Sequence, residues 1–88
     1  MTHIIKLDIQ FCDPVLNGIK TFEVRKNDRD YKKDDLIKFI PVGLCFQHVA
    51  HPIENKIYKI NYVLTGWGIQ EGFCVFGISE VNHEDRKR

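Results

Sequence analysis

The sequence predicts a mainly β fold with one short helix, an α+β arrangement in which five or six strands form a small, strongly bent or closed sheet. Three observations carry this reading. Strand-length runs of alternating apolar and polar residues recur along the chain, glycine and proline clusters separate them, and a single segment near the start carries helix punctuation. Closing or curling the sheet removes exposed edges that a chain of 88 residues has little material to cover. Periodicity alone leaves both a barrel and a small open sheet standing.

His3 to Phe11 (HIIKLDIQF) suits a first strand ending before Cys12. In Asp13-Pro14-Val15-Leu16-Asn17-Gly18, Asp13 can cap a helical turn, Pro14 suits its first position, and Gly18 can take a left-handed stop. A helix of one to two turns is expected there, with Val15, Leu16 or Ile19 touching the core. Lys20 to Lys26 (KTFEVRK) alternates as a strand, Phe22 and Val24 on one face and Thr21, Glu23 and Arg25 on the other. A polar segment, Asn27 to Asp35, follows. Leu36 to Ile40 restarts a strand that Pro41-Val42-Gly43 ends. Leu44 to Asn55 reads as a hairpin arm plus loop, Pro52 opposing a central strand. Lys56 to Thr65 is a long strand with Tyr58, Ile60, Tyr62 and Leu64 on one face. A glycine-punctuated loop, Gly66 to Gly72, leads into the last strand, Phe73 to Val81. Residues 1–81 thus read as a single domain and residues 82–88 as a polar C-terminal tail.

Hydrophobic residues make up 43% and charged residues 28% of the chain, an ordinary globular composition rather than a disordered or membranous one. No apolar run approaches the ~20 residues of a membrane helix, and Lys6 and Asp8 interrupt any secretory leader. So short a chain cannot hold a core, a cofactor domain and a substrate domain together, which excludes most two-domain enzymes. The net charge of +1 argues against a non-specific nucleic-acid clamp, which needs a cation for each phosphate it neutralises, but is compatible with a local basic cleft. Cys12, Cys45 and Cys74 are an odd, widely spaced set without a Cys-x-x-Cys, as in reduced, cytoplasmic proteins. Cys12 and Cys74 sit in apolar stretches, where a buried, inert thiol is expected.

The densest chemistry lies between Lys20 and Asp35, where 11 of 16 residues are charged. Glu23 and Arg25, two apart on a strand, point the same way with α-carbons about 6.5–7 Å apart. A carboxylate so placed can orient the guanidinium fork toward a phosphate or carboxylate. Strict alternation puts Lys20 opposite Glu23, whereas irregular backbone after Gly18 swings it to the same side. The same charges also fit a solvated face of exposed ion pairs, each worth ~0–1 kcal/mol.

The pattern Gly18-x-Lys20-x-x-Glu23-x-Arg25, placed after a short helix at the opening of a strand, resembles the signature of ASCH domains, a family of PUA-like β-barrels. The likeness extends through Lys26-Asn27-Asp28-Arg29-Asp30-Tyr31, Leu36-Ile37, Tyr62-Val63-Leu64, the Gly66–Gly72 loop and Phe73-Cys74-Val75-Phe76. It is similar to a small bacterial and phage-borne subfamily of unassigned function. The resemblance implies a barrel with a cleft beside the helix, lined by Lys20, Glu23 and Arg25, that takes RNA or a nucleotide-like ligand. Relatives place Gly-Asp before the next strand where this chain has Asp34-Asp35; aspartate tolerates the left-handed conformation, so the turn is expected to survive with some strain.

In a binding module, Lys20 and Arg25 meet phosphate, Arg29 or Lys26 adds to them, and Trp67 offers a stacking ring on a glycine-flanked loop tip. Trp67 fits equally well as a ring folded onto the core, and Tyr31 and Tyr58 have the same two readings. A branch of the resembled family implies an alternative, an amidohydrolase acting on N4-acylcytidine-like nucleosides through a lysine, a threonine and a glutamate. Lys20 matches that lysine, but Glu23 occupies the threonine position, and regular geometry sends Thr21 to the other face. No catalytic residue is therefore assigned, Lys20 standing only in the hydrolase reading. A protein–protein adaptor is a third class. Cys45-x-x-His48-x-x-His51 offers three soft ligands without a fourth, and no metal site or cofactor is assigned.

Overall fold

The computed structural model describes residues 1–81; the tail expected at 82–88 lies outside the described residues. The elements run β1 (Thr2–Asp8), α1 (Ile9–Leu16), β2 (Phe22–Lys26), β3 (Leu36–Val42), β4 (Tyr58–Leu64) and β5 (Phe73–Glu80), with 3-10 turns at Leu44–Phe46 and Pro52–Asn55. The five strands form one sheet in the order β1-β3-β4-β5-β2, curled into a half-barrel. β1 pairs parallel with β3, and the other pairings are antiparallel. The concave face holds the core, built from Ile5 and Leu7 of β1, Ile37 and Phe39 of β3, Tyr58 and Ile60 of β4 and Cys74, Phe76 and Ile78 of β5. Cys12 and Val15 of α1, with Tyr31 and Ile53, complete it. β1 and β2 are the sheet's two edges, and they border a common seam.

The first strand is shorter than expected. Ile5, Leu7, Ile9 and Phe11 alternate as strand residues do, but the chain leaves the sheet after Asp8, whose carboxylate accepts from the Gln10 backbone N–H at 3.0 Å and caps α1. Burying Cys12 and Val15 at helical spacing outweighs extending the alternation. The cap is therefore Asp8 rather than Asp13, and Pro14 lies inside the helix, not at its first position. Gly18 supplies the expected left-handed stop at φ +73°.

Pro41 does not end its strand. It is fully buried within β3, opposite Leu7. β3 pairs with β4 only at Leu36 and Ile37, so a missing N–H at position 41 breaks no ladder there. The stretch after it forms the two 3-10 turns and an isolated Val42–His48 bridge instead of a full hairpin arm. In β4 a register shift between Ile60 and Tyr62 breaks the expected common face: Tyr58 and Ile60 are buried, while Tyr62 is 64% exposed. Gly77 makes room for this bulge, since a β-carbon there would lie 2.4 Å from the Asn61 side-chain oxygen.

Candidate functional site

Alternation along β2 turns its charged face inward. Glu23 is 2% exposed, whereas Phe22 and Val24 are 45% and 56% exposed. A carboxylate out of water needs partners, and Glu23 has two cations. Arg25 donates from Nε (3.0 Å) and Nη2 (2.7 Å) to Oε1, and the Lys20 ammonium pairs with Oε2. Lys20 also donates to the Phe22 carbonyl at 2.7 Å. The irregular backbone after Gly18 thus swings Lys20 to the side of Glu23. Its ammonium lies 5.1 Å from the Phe11 ring centre and 5.0 Å from that of Phe22, within cation–π range of both. Two cations on one carboxylate leave a local charge of +1.

The seam between the edge strands is spanned by arginine side chains. Arg25 Nη2 donates to the Lys6 carbonyl at 2.6 Å, and Arg29 Nη1 to the Ile4 carbonyl at 3.2 Å. Two hollows lie along the seam. The first, of about 510 Å³, is lined by Phe11, Lys20, Phe22, Glu23 and Arg25, among others. The second, of about 370 Å³, includes Arg29, Lys26 and Tyr31. Lys6 and Arg25 border both.

A family model described as a domain of unknown function, DUF3850, matches residues 2–78. The chain belongs to the DUF3850 family. No curated protein matches it. The DUF3850 match reaches from β1 into β5, so the buried Glu23 cluster and the seam both lie within the family's domain.

Of the residues singled out from sequence, this DUF3850 chain brings Lys20, Glu23 and Arg25 together, and sets Arg29 in the adjoining hollow. Trp67 borders neither; it is 92% exposed on the β4–β5 loop at φ +54° and is no core anchor. Tyr31 and Tyr58 are core residues, Tyr31 meeting His3 edge-on and Phe76 at a tilt with ring centres 4.7 Å from each. Phe11, Phe22 and Lys6 are site residues that sequence reasoning missed. The signal was available for Phe22, because an inward Glu23 obliges its neighbours on the strand to face outward.

Thr21 borders another hollow, of about 190 Å³, with Tyr58, Ser79 and Glu80; Lys20 also lines it, but the Lys20 ammonium is engaged by Glu23 and the Phe22 carbonyl. Burial lifts the Cys12 thiol to about 11 and also raises that of Cys74, keeping both protonated. His51 accepts from the Ile53 N–H at Nδ1 (3.0 Å) and donates through Nε2 to Asp13 (2.7 Å), so both ring nitrogens are occupied. His48 pairs with Glu54 at 3.1 Å. These histidines pin the Pro52–Asn55 turn to its surroundings.

Proposed function

We propose that the chain is a binding module for RNA or a nucleotide-like ligand, whose anionic group meets Lys20 and Arg25 in the cleft beside α1. The observation that carries the reading is the buried Glu23 holding two cations in a hollow of about 510 Å³. That volume is within the ~300–1,000 Å³ range of small-ligand sites. Arg25 Nη1 makes no hydrogen bond among the described residues, and Lys20 has one ammonium proton beyond its two hydrogen bonds. These donors are positioned for phosphate oxygens, and the half-exposed Phe11 and Phe22 rings offer faces to a base. The resemblance of Gly18-x-Lys20-x-x-Glu23-x-Arg25 to the ASCH signature supports the same ligand class.

The test is a titration of the ¹⁵N-labelled protein with cytidine 5′-monophosphate and with a short single-stranded RNA. Lys20, Glu23 and Arg25 amide signals are expected to move. Shifts confined to other surfaces, or none at all, would overturn the assignment. Arg25→Ala is expected to weaken RNA binding and flatten its dependence on log salt by about 0.7, the share of one phosphate contact on a single strand. Circular dichroism on the same sample verifies that the variant is folded.

A further inference from the structure

The segment after β3 carries an exposed ring whose placement the fold does not require. Cys45 and Phe46 have φ of +55° and +59°, two consecutive left-handed residues, neither of them glycine. Such strain persists where the surroundings enforce it, and it clusters at ligand-binding segments. Here the Gly43 N–H donates to the Gln47 carbonyl at 2.9 Å, and the Val42–His48 bridge closes the base of the turn. What the turn presents is not core: Leu44 is 90% and Phe46 72% exposed. The Phe46 ring lies over Lys6, 5.5 Å from its ammonium to the ring centre. Lys6 is one of the two residues shared by the two seam hollows. Aromatic rings thus lie against cations at two points of the seam, Phe11 and Phe22 against Lys20, and Phe46, which lines neither hollow, against Lys6.

Building on the reading above, we propose that the ligand is a single-stranded RNA segment of at least two nucleotides, rather than a free mononucleotide. One base stacks at Phe11 and Phe22, the next on Phe46, and the phosphate between them meets Lys6 and Arg25. A mononucleotide fills the first hollow alone and leaves the strained turn and its Phe46 ring without a partner. Two rings flanking a cationic step are what consecutive stacked bases require, and stacking of this kind tolerates any base sequence. Beyond Lys6, the second hollow adds Arg29 and Lys26 against the single carboxylate of Asp28, a net positive lining for a longer strand.

The experiment compares a fluorescein-labelled random RNA hexamer, followed by anisotropy, with the four ribonucleoside 5′-monophosphates, followed by calorimetry. The wild type should bind the hexamer at least about tenfold more tightly than any monophosphate. Phe46→Ala, at an exposed position, should lower hexamer affinity roughly 5- to 100-fold, the effect of losing one base stack. It should leave monophosphate affinity within about twofold, and Phe46→Trp should retain tight hexamer binding. Unchanged hexamer binding by Phe46→Ala, or equal weakening of both ligands, would overturn this inference while leaving the cleft assignment intact. Failure of the wild type to bind either ligand would overturn both.

Discussion

Glu23 is where the chemistry of the site and the stability of the fold meet. Its carboxylate is almost sealed from solvent, and Lys20 and Arg25 supply the donors that make burial tolerable. Removing one member of a fully buried ion cluster costs about 3–5 kcal/mol because the remaining charges are stranded. Here the cations are 18% and 23% exposed and can regain some hydration. Glu23→Gln is therefore expected to cost somewhat less, about 2–3 kcal/mol, read as a lower urea midpoint at unchanged slope. The convergence of Lys20, Glu23 and Arg25 was legible from sequence because strand alternation fixes which side chains share a face, and a glycine stop permits the swing of Lys20. Phe46 was illegible: nothing in Leu44-Cys45-Phe46 advertises left-handed backbone, and an apolar trio reads as core.

Among the elements, the turn entering β3 shows a local choice made against backbone preference. Asp34 sits at φ +75° while its N–H donates to the Ile60 carbonyl at 2.7 Å, joining the turn to β4. Glycine adopts that conformation without the β-carbon clash but loses more freedom on folding. The balance favours Asp34→Gly by about 0.5–1 kcal/mol, a rise in melting temperature of roughly 2–8 °C for a domain of this size, measurable by calorimetry. The left-handed aspartate was foreseeable because relatives in the resembled family place glycine in that turn. The β1–α1 boundary was not, since HIIKLDIQF satisfies a two-residue period up to Phe11 and only the tertiary demand for Cys12 and Val15 in the core decides otherwise. The β4 bulge was hidden for a related reason: Gly77 on the neighbouring strand, not β4 itself, admits it.

At the scale of the molecule, the β1–β3 pairing is anchored at one end by Asp35. Its carboxylate accepts from His3 Nε2 at 2.8 Å and the Lys32 N–H at 3.2 Å, and lies 3.5 Å from the terminal amine of Met1. The His3 hydrogen bond, chiefly, holds the Asp35 carboxyl below its ordinary 3.8, with burial opposing and the Lys32 amide and terminal amine assisting. A carboxyl that is more acidic folded than unfolded stabilises the fold above the unfolded value, and that contribution disappears as pH falls through the folded value. Wild type is thus expected to exceed Asp35→Asn in stability at neutral pH, and the gap should close as urea titrations are carried from about pH 5 toward pH 2. A gap independent of pH would show that Asp35 acts by packing alone. A bent sheet was legible because so short a chain must hide its rims; that side chains would do this in place of backbone pairing was not, since alternation is silent about how distant edges meet.

The arginines across the rims have one more consequence. A bare strand edge invites a neighbouring molecule to add its own strand, and Arg25 and Arg29 already occupy the acceptors of Lys6 and Ile4. The same two guanidiniums that the proposed function offers to a ligand thus also cover two of the acceptors through which β1 would pair with a foreign strand.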